Sequence, residues 1–160
     1  MASLTEITVA IDDIDREILG ALEADGRSTY MELGRKVALS PNAVADRVRR
    51  LTATGVIRSF GAVIASETLG LRLHAYIDVK LRSETAADNF ERGLSSVPGI
   101  VECILTTGRF DYTLRVACRD QADLVRIVER LRTQTGAAET YSRIILRDRR
   151  FPLIPALSRR

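Results

Sequence analysis

The sequence predicts an α+β protein with a helical N-terminal part and a second part of mixed strands and helices. In the first 55 residues, apolar side chains recur at the spacing of a buried helix face, as at Ile14, Ile18 and Leu22. The stretch LHAYIDVKL at 73–81 instead alternates strictly between apolar and polar residues, which is typical of a half-buried strand. Helical and strand patterns then follow one another to about residue 145 and indicate the order βαββαβ.

Length and composition are those of a globular protein. The chain has 160 residues, enough for one domain or two small ones, with 46% apolar and 28% charged residues. No apolar run approaches the ~20 residues of a membrane span and no signal-peptide pattern opens the chain, so we expect a cytoplasmic protein without a membrane partner. Cys103 and Cys118 lack metal or redox spacing and are expected to be buried, reduced thiols.

The charge is distributed unevenly, although the net charge is only +3. Residues 6–25 hold seven acidic side chains and one arginine, whereas residues 26–60 hold seven basic side chains and two acidic ones. An acidic segment followed by a compact basic one suggests that one face of the protein meets a polyanion.

Three short helices are predicted before residue 56. Asp12-Asp13 offers an N-cap for the first. Thr29 and Glu32 have capping-box spacing, so the second helix is expected to begin after Thr29. Ser40-Pro41 begins the third, with serine as N-cap and proline in the first turn. Only a tight turn around Ala38-Leu39 separates the last two, and the third is rich in arginine, which together indicate a helix-turn-helix.

The exposed face of the third predicted helix suits the major groove of double-stranded DNA. Side chains near the start of such a helix reach base edges, so Ser40, Asn42 and Arg47 are the candidates for base or nearby phosphate contact. Other basic residues are better placed for phosphates, which position a protein without reading sequence. These phosphate candidates are Arg27, Lys36, Arg49, Arg50 and Arg58. The alternative is a solvated face on an ordinary helical domain, with Asp46 and Arg50 as an i,i+4 pair.

The stretch VIRSFGAVIASETLG links the two parts of the chain. Residues 56–57 and 62–64 are predicted to pair as a short hairpin beside the helices, which gives a winged-type helix-turn-helix. The predicted divisions are a DNA-binding domain at 1–65, a hinge at 66–72 and a second domain at 73–160 that includes a basic C-terminal tail.

The order βαββαβ predicts a ferredoxin-like second domain, with two helices on one face of a four-stranded antiparallel sheet. The opposite face carries a mixed, partly apolar set of side chains, including Tyr76, Thr113 and Ala117. Such a surface usually binds a partner, and a symmetric homodimer is the simplest one. A dimer would carry two DNA-binding heads, which matches a palindromic site.

The stretch TTGRFDY at 106–112 lies between the second and third predicted strands and is open to two interpretations. Gly108 allows close backbone approach, its exposed N–H groups could bind a carboxylate, and Asp111 could bind an ammonium group. Arg109 could pair with a ligand, with Asp111 or with a neighbouring subunit. In the simpler interpretation, which the spacing alone favours, Asp111 caps a β-turn and Arg109 is solvated.

The layout of helix-turn-helix, short hairpin and βαββαβ resembles the Lrp/AsnC family, the leucine-responsive or feast/famine transcription regulators. The likeness extends from about Ile11 to Leu146. The stretches that carry it are IDDIDREIL, LSPNAVADRVRRLTATGVI, GAVI and TTGRFDYTLRV. Two features depart from the family pattern: Ala38 stands in the turn where glycine is frequent, and the tail RDRRFPLIPALSRR has no interpretation from the family.

The resemblance implies a nucleoid-associated, sequence-specific DNA-binding regulator that dimerises through its ferredoxin-like domain and assembles further, often as a tetramer of dimers. It implies a free amino acid as effector, bound between dimers against the loop with the Gly-x-x-Asp pattern, which here is Gly108 to Asp111. No other cofactor and no metal is expected. The effector residues carried over by the resemblance are Leu105, Thr106, Thr107, Gly108, Arg109, Asp111, Tyr112, Ser142 and Ile144.

Three other functions compete with this interpretation. An enzyme is disfavoured because the chain has one histidine, His74, and neither a paired-carboxylate cleft nor a phosphate loop is recognisable in the sequence. Single-stranded RNA binding would need aromatic residues on the central strands, and the third strand supplies only Tyr112. An architectural DNA-binding protein would share the DNA face and differ only in having no effector.

Overall fold

The computed structural model of the protein describes residues 10–154. The predicted α+β class and the predicted order of elements are confirmed. In chain order the elements are α1 Asp13–Ala24, α2 Tyr30–Val37, α3 Pro41–Ala53, a 3-10 helix Ser66–Leu69, β1 Leu73–Leu81, α4 Ala87–Leu94, β2 Ile100–Leu105, β3 Tyr112–Cys118, α5 Gln121–Gln134 and β4 Ala137–Ile144.

The first three helices begin at the predicted capping residues. The Asp12 carboxylate accepts a hydrogen bond from the backbone N–H of Asp15 at 2.7 Å, and Thr29 Oγ1 accepts one from that of Glu32 at 3.2 Å. Ser40 Oγ accepts from a backbone N–H in the first turn of α3, also at 3.2 Å. Each cap satisfies a donor that a first helical turn leaves without an intrahelical partner. Buried Ile18, from α1, then packs with the apolar faces of α2 and α3 in one small core.

The turn between α2 and α3 is as tight as the sequence predicts. A Cβ atom added at Gly34 would lie only 2.5 Å from the carbonyl oxygen of Leu39, so no larger residue fits there without movement of the backbone. Ala38 has a left-handed backbone with φ +54°, a conformation that glycine adopts at lower energetic cost than alanine. The departure from glycine at this position therefore leaves the turn geometry in place but places strain in it.

The predicted hairpin at 56–64 is not formed. Residues 56–65 contain no strand, and Val63 and Ile64 are exposed, Val63 at 83% of its surface. Two- and three-residue pairings are too short to be stable in water without further strands, which explains the difference. The 3-10 helix that follows lies in the segment predicted as a hinge.

The four strands form one antiparallel sheet in the order β2-β3-β1-β4. The β1 alternation predicted from the sequence is confirmed, because Ala75, Ile77 and Val79 are fully buried. They share a core with Phe90 of α4 and Leu131 of α5, so both helices cover the same face of the sheet. The outer strands keep several large apolar side chains exposed, and these are Val101, Ile104, Leu105, Tyr141 and Ile144.

The described chain divides into two compact units. One holds residues 10–63 together with 149–154, and the other is Ile64–Asp148. The sequence places the whole tail in the second domain, whereas residues 149–154 cluster with the helical unit. Cys118 is buried as expected. Cys103 is exposed, because it lies on β2, an outer strand whose residues are mostly exposed. No helix within residues 10–154 is long and apolar enough to cross a membrane.

Candidate functional site

The helical unit presents a set of exposed polar side chains on and around α3. Asn42 follows the α3 cap directly and is exposed, as are Lys36 on α2, Arg27 before it and Arg58 after α3. Within residues 10–154, none of these four side chains forms a hydrogen bond or an ion pair. Ser40 is also exposed, and its hydroxyl oxygen accepts the capping bond while its O–H remains available as a donor. These five positions can therefore contact a polyanion without breaking an internal interaction.

Arg47 and Arg50, both predicted as DNA contacts, form ion pairs inside the helical unit. Asp15 of α1 is completely buried, and its carboxylate binds both Arg47, at 2.8 Å, and Arg50. Arg47 also binds Asp12 at 2.6 Å, and these hydrogen bonds raise the pKa of Arg47. The backbone N–H of Asp15 and then Arg47 hold the pKa of Asp12 below its usual value. Both arginines thus fasten α3 to α1, and Arg50 keeps about half of its side chain exposed.

Asp46 pairs with Arg49 rather than with Arg50. The Asp46–Arg49 distance is 2.7 Å, and both side chains are largely exposed. Surface pairs of this kind contribute little to stability, so Arg49 can exchange Asp46 for a phosphate at small cost. Arg50 turns instead towards Asp15, because a buried carboxylate that lacks water needs a second donor.

The loop of residues 106–111 joins β2 and β3 and is closed by its own hydrogen bonds. The backbone N–H of Thr106 donates to the carbonyl of Asp111 at 2.9 Å, and Thr106 Oγ1 donates to that of Phe110 at 3.2 Å. Gly108 has φ +116°, a conformation that side chains rarely adopt, and the space around it is open. Thr107, Gly108 and Arg109 are exposed between these closing bonds.

Asp111 anchors this loop to β1. Its Oδ1 accepts a hydrogen bond from Lys80 Nζ at 2.7 Å and its Oδ2 accepts one from the backbone N–H of Leu81 at 2.8 Å. Lys80 first, and then the Leu81 N–H, holds the pKa of Asp111 below its usual value. The β-turn cap expected in the simpler interpretation is therefore replaced by a bond to the neighbouring strand. Each carboxylate oxygen retains one further acceptor site, and 31% of the side chain is exposed.

Arg109 contacts protein groups that the sequence did not connect with it. Its guanidinium lies 3.5 Å from the Glu139 carboxylate and 5.1 Å from the ring centre of Phe110. The Phe110 ring in turn stacks on Tyr141 of β4, with ring centres 6.4 Å apart. Lys80, Glu139 and Tyr141 were missed because only the pairing of β1 with β3 and β4 brings them to the loop.

Tyr112 does not belong to the exposed loop, which corrects its assignment as an effector contact. It is 1% exposed, its ring lies 4.7 Å from that of Phe90, and its hydroxyl donates to Glu91 at 2.8 Å. Burial, followed by this bond, raises its pKa. Tyr112 lies on the same buried face of β3 as Leu114 and Val116. Its ring therefore faces the helices and cannot stack on a nucleic-acid base.

The remaining effector candidates lie on two different parts of the sheet. Leu105 ends β2 beside the loop and is exposed. Ser142 and Ile144 are exposed on β4, where they pair with Ile77 and Ala75 of β1. In the order β2-β3-β1-β4, β4 is three strand spacings from β2, or about 14 Å. A single copy of the chain therefore keeps Leu105 and Ile144 on opposite edges of the sheet, whereas the loop itself reaches β4 through the contact of Phe110 with Tyr141.

His74 has a structural place on β1. Its Nε2 lies 2.9 Å from Ser66 Oγ and 3.6 Å from a Glu67 carboxylate oxygen. Among the residues that the structure describes, no group of three or more histidine, cysteine, aspartate or glutamate side chains could hold a metal ion.

A helix-turn-helix unit with exposed basic side chains, joined to a separate βαββαβ unit, defines a class of two-domain regulators. Residues 11–52 match the AsnC-type helix-turn-helix domain, and residues 74–150 match the Lrp/AsnC ligand binding domain. The chain belongs to the Lrp/AsnC family of transcriptional regulators.

Relatives with known names agree with this family. The chain is 35% identical to the HTH-type transcriptional regulator LrpA of Mycobacterium tuberculosis, over 86% of this chain and 91% of that protein. It is 34% identical to the proline dehydrogenase transcriptional activator of Rhodobacter capsulatus, over 88% of this chain and 93% of that protein. It is also 33% identical to the leucine-responsive regulatory protein of Klebsiella pneumoniae, over 86% of each.

Two solved structures of similar proteins contain an amino acid. One is a feast or famine regulatory protein from M. tuberculosis complexed with L-methionine, with a TM-score of 0.80, 34% identity and coverage of 87% of this chain and 94% of that one. The other is an L-Met complex of a transcriptional regulator from Neisseria meningitidis, with a TM-score of 0.82, 29% identity and coverage of 90% and 95%.

Proposed function

We propose that the protein is a sequence-specific DNA-binding transcriptional regulator whose DNA affinity or assembly responds to a free amino acid. The observation that carries the DNA-binding part is the exposed group of unpaired donors around α3, on a helix-turn-helix of the matching family. The observation that carries the effector part is the loop at 106–111, which offers backbone donors and a carboxylate at one exposed place.

DNA contact is divided between two groups of side chains. Ser40 and Asn42, at the start of α3, contact base edges or nearby phosphates. Arg27, Lys36, Arg49 and Arg58 bind phosphates. Arg47 and Arg50 act chiefly by holding α3 on α1 through Asp15, and the exposed half of Arg50 adds a phosphate contact.

The effector site receives a zwitterion. The N–H groups around Gly108 and the hydroxyl of Thr107 donate to the ligand carboxylate, while Thr106, whose O–H donates to the Phe110 carbonyl, holds the loop closed. The unused acceptor sites of Asp111 bind the ligand ammonium. Arg109, which holds Glu139 only at 3.5 Å on an exposed surface, can turn towards the ligand carboxylate.

Assembly completes this site. Because one copy keeps Leu105 and Ile144 on opposite edges of the sheet, a second copy would have to supply one of them to a site that holds both. The exposed apolar side chains of β2 and β4 supply a surface for self-association. A dimer, and beyond it a tetramer of dimers, would bring the two parts of the site together.

The DNA-binding part is tested by titrating labelled duplex with the protein at several salt concentrations. Affinity is expected to fall steeply with salt because phosphate contacts release counterions. Asn42→Ala should relax sequence preference, whereas Lys36→Ala should weaken binding to all duplexes and reduce the salt slope by about one unit. A flat salt response would rule this part out.

The effector part is tested by thermal shift with a panel of amino acids that includes L-methionine. At least one amino acid should raise the melting temperature of the wild type and raise that of Asp111→Ala less. No shift in the wild type, or equal shifts in both proteins, would leave an architectural DNA-binding protein as the better description.

A further inference from the structure

Residues 149–154 belong to the helical unit, and Leu153 and Ile154 lie against α1. The two oxygens of the Glu23 carboxylate accept hydrogen bonds from consecutive backbone N–H groups, that of Leu153 at 2.6 Å and that of Ile154 at 3.1 Å. A carboxylate that binds two successive amide groups fixes the position of this bend in the chain.

An apolar groove on the same unit has this segment as one of its walls. The groove has a volume of about 690 Å³ and runs between α1 and the chain that leaves α3. Leu153 and Ile154 line it together with side chains from both of these elements. The apolar members are Ile11, Leu19, Leu22, Val56, Ile57 and Phe60.

Gly20 explains how Ile154 comes so close to α1. A glycine inside a helix lowers helix stability relative to alanine, so its presence there calls for a packing reason. A Cβ atom at Gly20 would lie 3.3 Å from Ile154 Cγ2, which is tighter than most contacts. The missing side chain therefore makes room for Ile154.

The residue that precedes the tail is held within the βαββαβ unit. Asp148, just before the tail, accepts a hydrogen bond from Arg115 of β3. Charge supports the contact with α1, because the stretch RDRR at 147–150 is basic while residues 6–25 are strongly acidic.

We propose that residues 151–154 are an intramolecular strap, and that the groove between α1 and the segment after α3 is the docking surface for it. The contacts of the strap with Glu23 and Gly20 lie within the helical unit, to which residues 149–154 belong. Leu153 and Ile154 line the same groove as the segment that carries Arg58. This inference concerns the docking surface and does not depend on DNA binding or on an effector.

A pair of cysteines tests the strap directly. The Cβ atom of Ile154 lies 3.8 Å from the Cβ position of Gly20, which is the usual separation in a disulfide. Gly20→Cys with Ile154→Cys, in a Cys103→Ser background, should form an intrachain disulfide upon mild oxidation, seen as a monomer of altered mobility on a non-reducing gel. Asp13→Cys with Ile154→Cys is the control, because two helical turns separate residue 13 from residue 20.

Cross-linking of the Gly20 pair no faster than that of the control would overturn the strap. A disulfide-linked dimer would overturn its intramolecular form and assign the groove to the tail of another copy.

Hydrogen exchange tests the same contact without engineered cysteines. In Glu23→Ala the amides of Leu153 and Ile154 should exchange about tenfold faster or more than in the wild type. Glu17→Ala, which removes another exposed glutamate from α1, should leave them unchanged. Equal exchange in all three proteins would count decisively against the strap.

Discussion

The Lys80 ammonium group lies 2.7 Å from the Asp111 carboxylate and joins the end of β1 to the loop before β3. The same carboxylate also accepts a hydrogen bond from the Leu81 N–H, so each of its oxygens already accepts one hydrogen bond before any ligand binds. Asp111 therefore shapes the loop, and a ligand ammonium at this place meets a cation that is already present.

Replacing Lys80 tests whether the Asp111 carboxylate binds the ammonium group of a ligand. Lys80→Met removes the competing cation, which is worth about 1 kcal/mol for two charges 4 Å apart in water. We therefore expect amino-acid affinity to rise roughly fivefold in calorimetric titration. Lys80→Arg keeps the positive charge and should bind as the wild type does. Weaker binding in Lys80→Met would mean that Asp111 acts on the loop alone.

Asp111 should contribute to stability in a pH-dependent way. Because its pKa is lowered in the folded protein, the carboxylate stabilises the fold above its unfolded pKa of about 3.9, and this contribution is lost as pH falls through the lower folded value. At pH 7, Asp111→Asn should reduce the free energy of unfolding by about 1 kcal/mol, since the site is partly exposed to solvent. Urea unfolding between pH 7 and pH 3 should show the difference shrinking below pH 4. A difference that stays constant over this range would contradict the assignment.

Asp15 should be critical for the helical unit. Asp15→Ala leaves Arg47 and Arg50 without their shared buried partner and should lower the free energy of unfolding by about 2–4 kcal/mol. Duplex affinity should fall with it, because α3 loses its attachment to α1. Asp13→Ala is the matched control, since its side chain is fully exposed, and chemical denaturation should show a change below about 0.5 kcal/mol. Similar losses in the two variants would refute the role of Asp15.

The turn between α2 and α3 offers a pair of opposite substitutions. Ala38→Gly relieves the left-handed backbone and should raise the free energy of unfolding by up to about 1 kcal/mol, part of which the greater freedom of the unfolded chain offsets. Gly34→Ala places a Cβ atom 2.5 Å from the Leu39 carbonyl and should lower it by about 1–3 kcal/mol. Thermal unfolding of both variants checks the signs. Destabilisation by Ala38→Gly would show that alanine is preferred there.

Most of the fold could be predicted because its sequence patterns are local and strong. The caps at Thr29 and Ser40 and the alternation of β1 depend only on residues near one another, so the sequence predicts them well. The prediction of a hairpin at 56–64 was wrong because a strand needs a paired strand, and these two segments are too short to form a stable pair.

The site was harder to predict because its contacts are distant along the chain. Nothing in the third helix indicates that Arg47 and Arg50 turn towards Asp15, or that Lys80 reaches Asp111. Tyr112 is different: the alternation of Tyr112, Leu114 and Val116 was available, and it places the ring in the core. For Tyr112 the alternation of β3 predicts the side-chain position better than the family resemblance does, because an effector contact requires an exposed side chain.

The position of Leu105 and Ile144 on opposite edges of the sheet has a consequence for how a cell would use this protein. If the sensing site is complete only where two copies meet, its occupancy follows the abundance of the regulator as well as that of the metabolite. The same nutrient level would then produce a weak response in a cell that holds few copies and a strong one in a cell that holds many. Dilution at division would by itself reset the sensor.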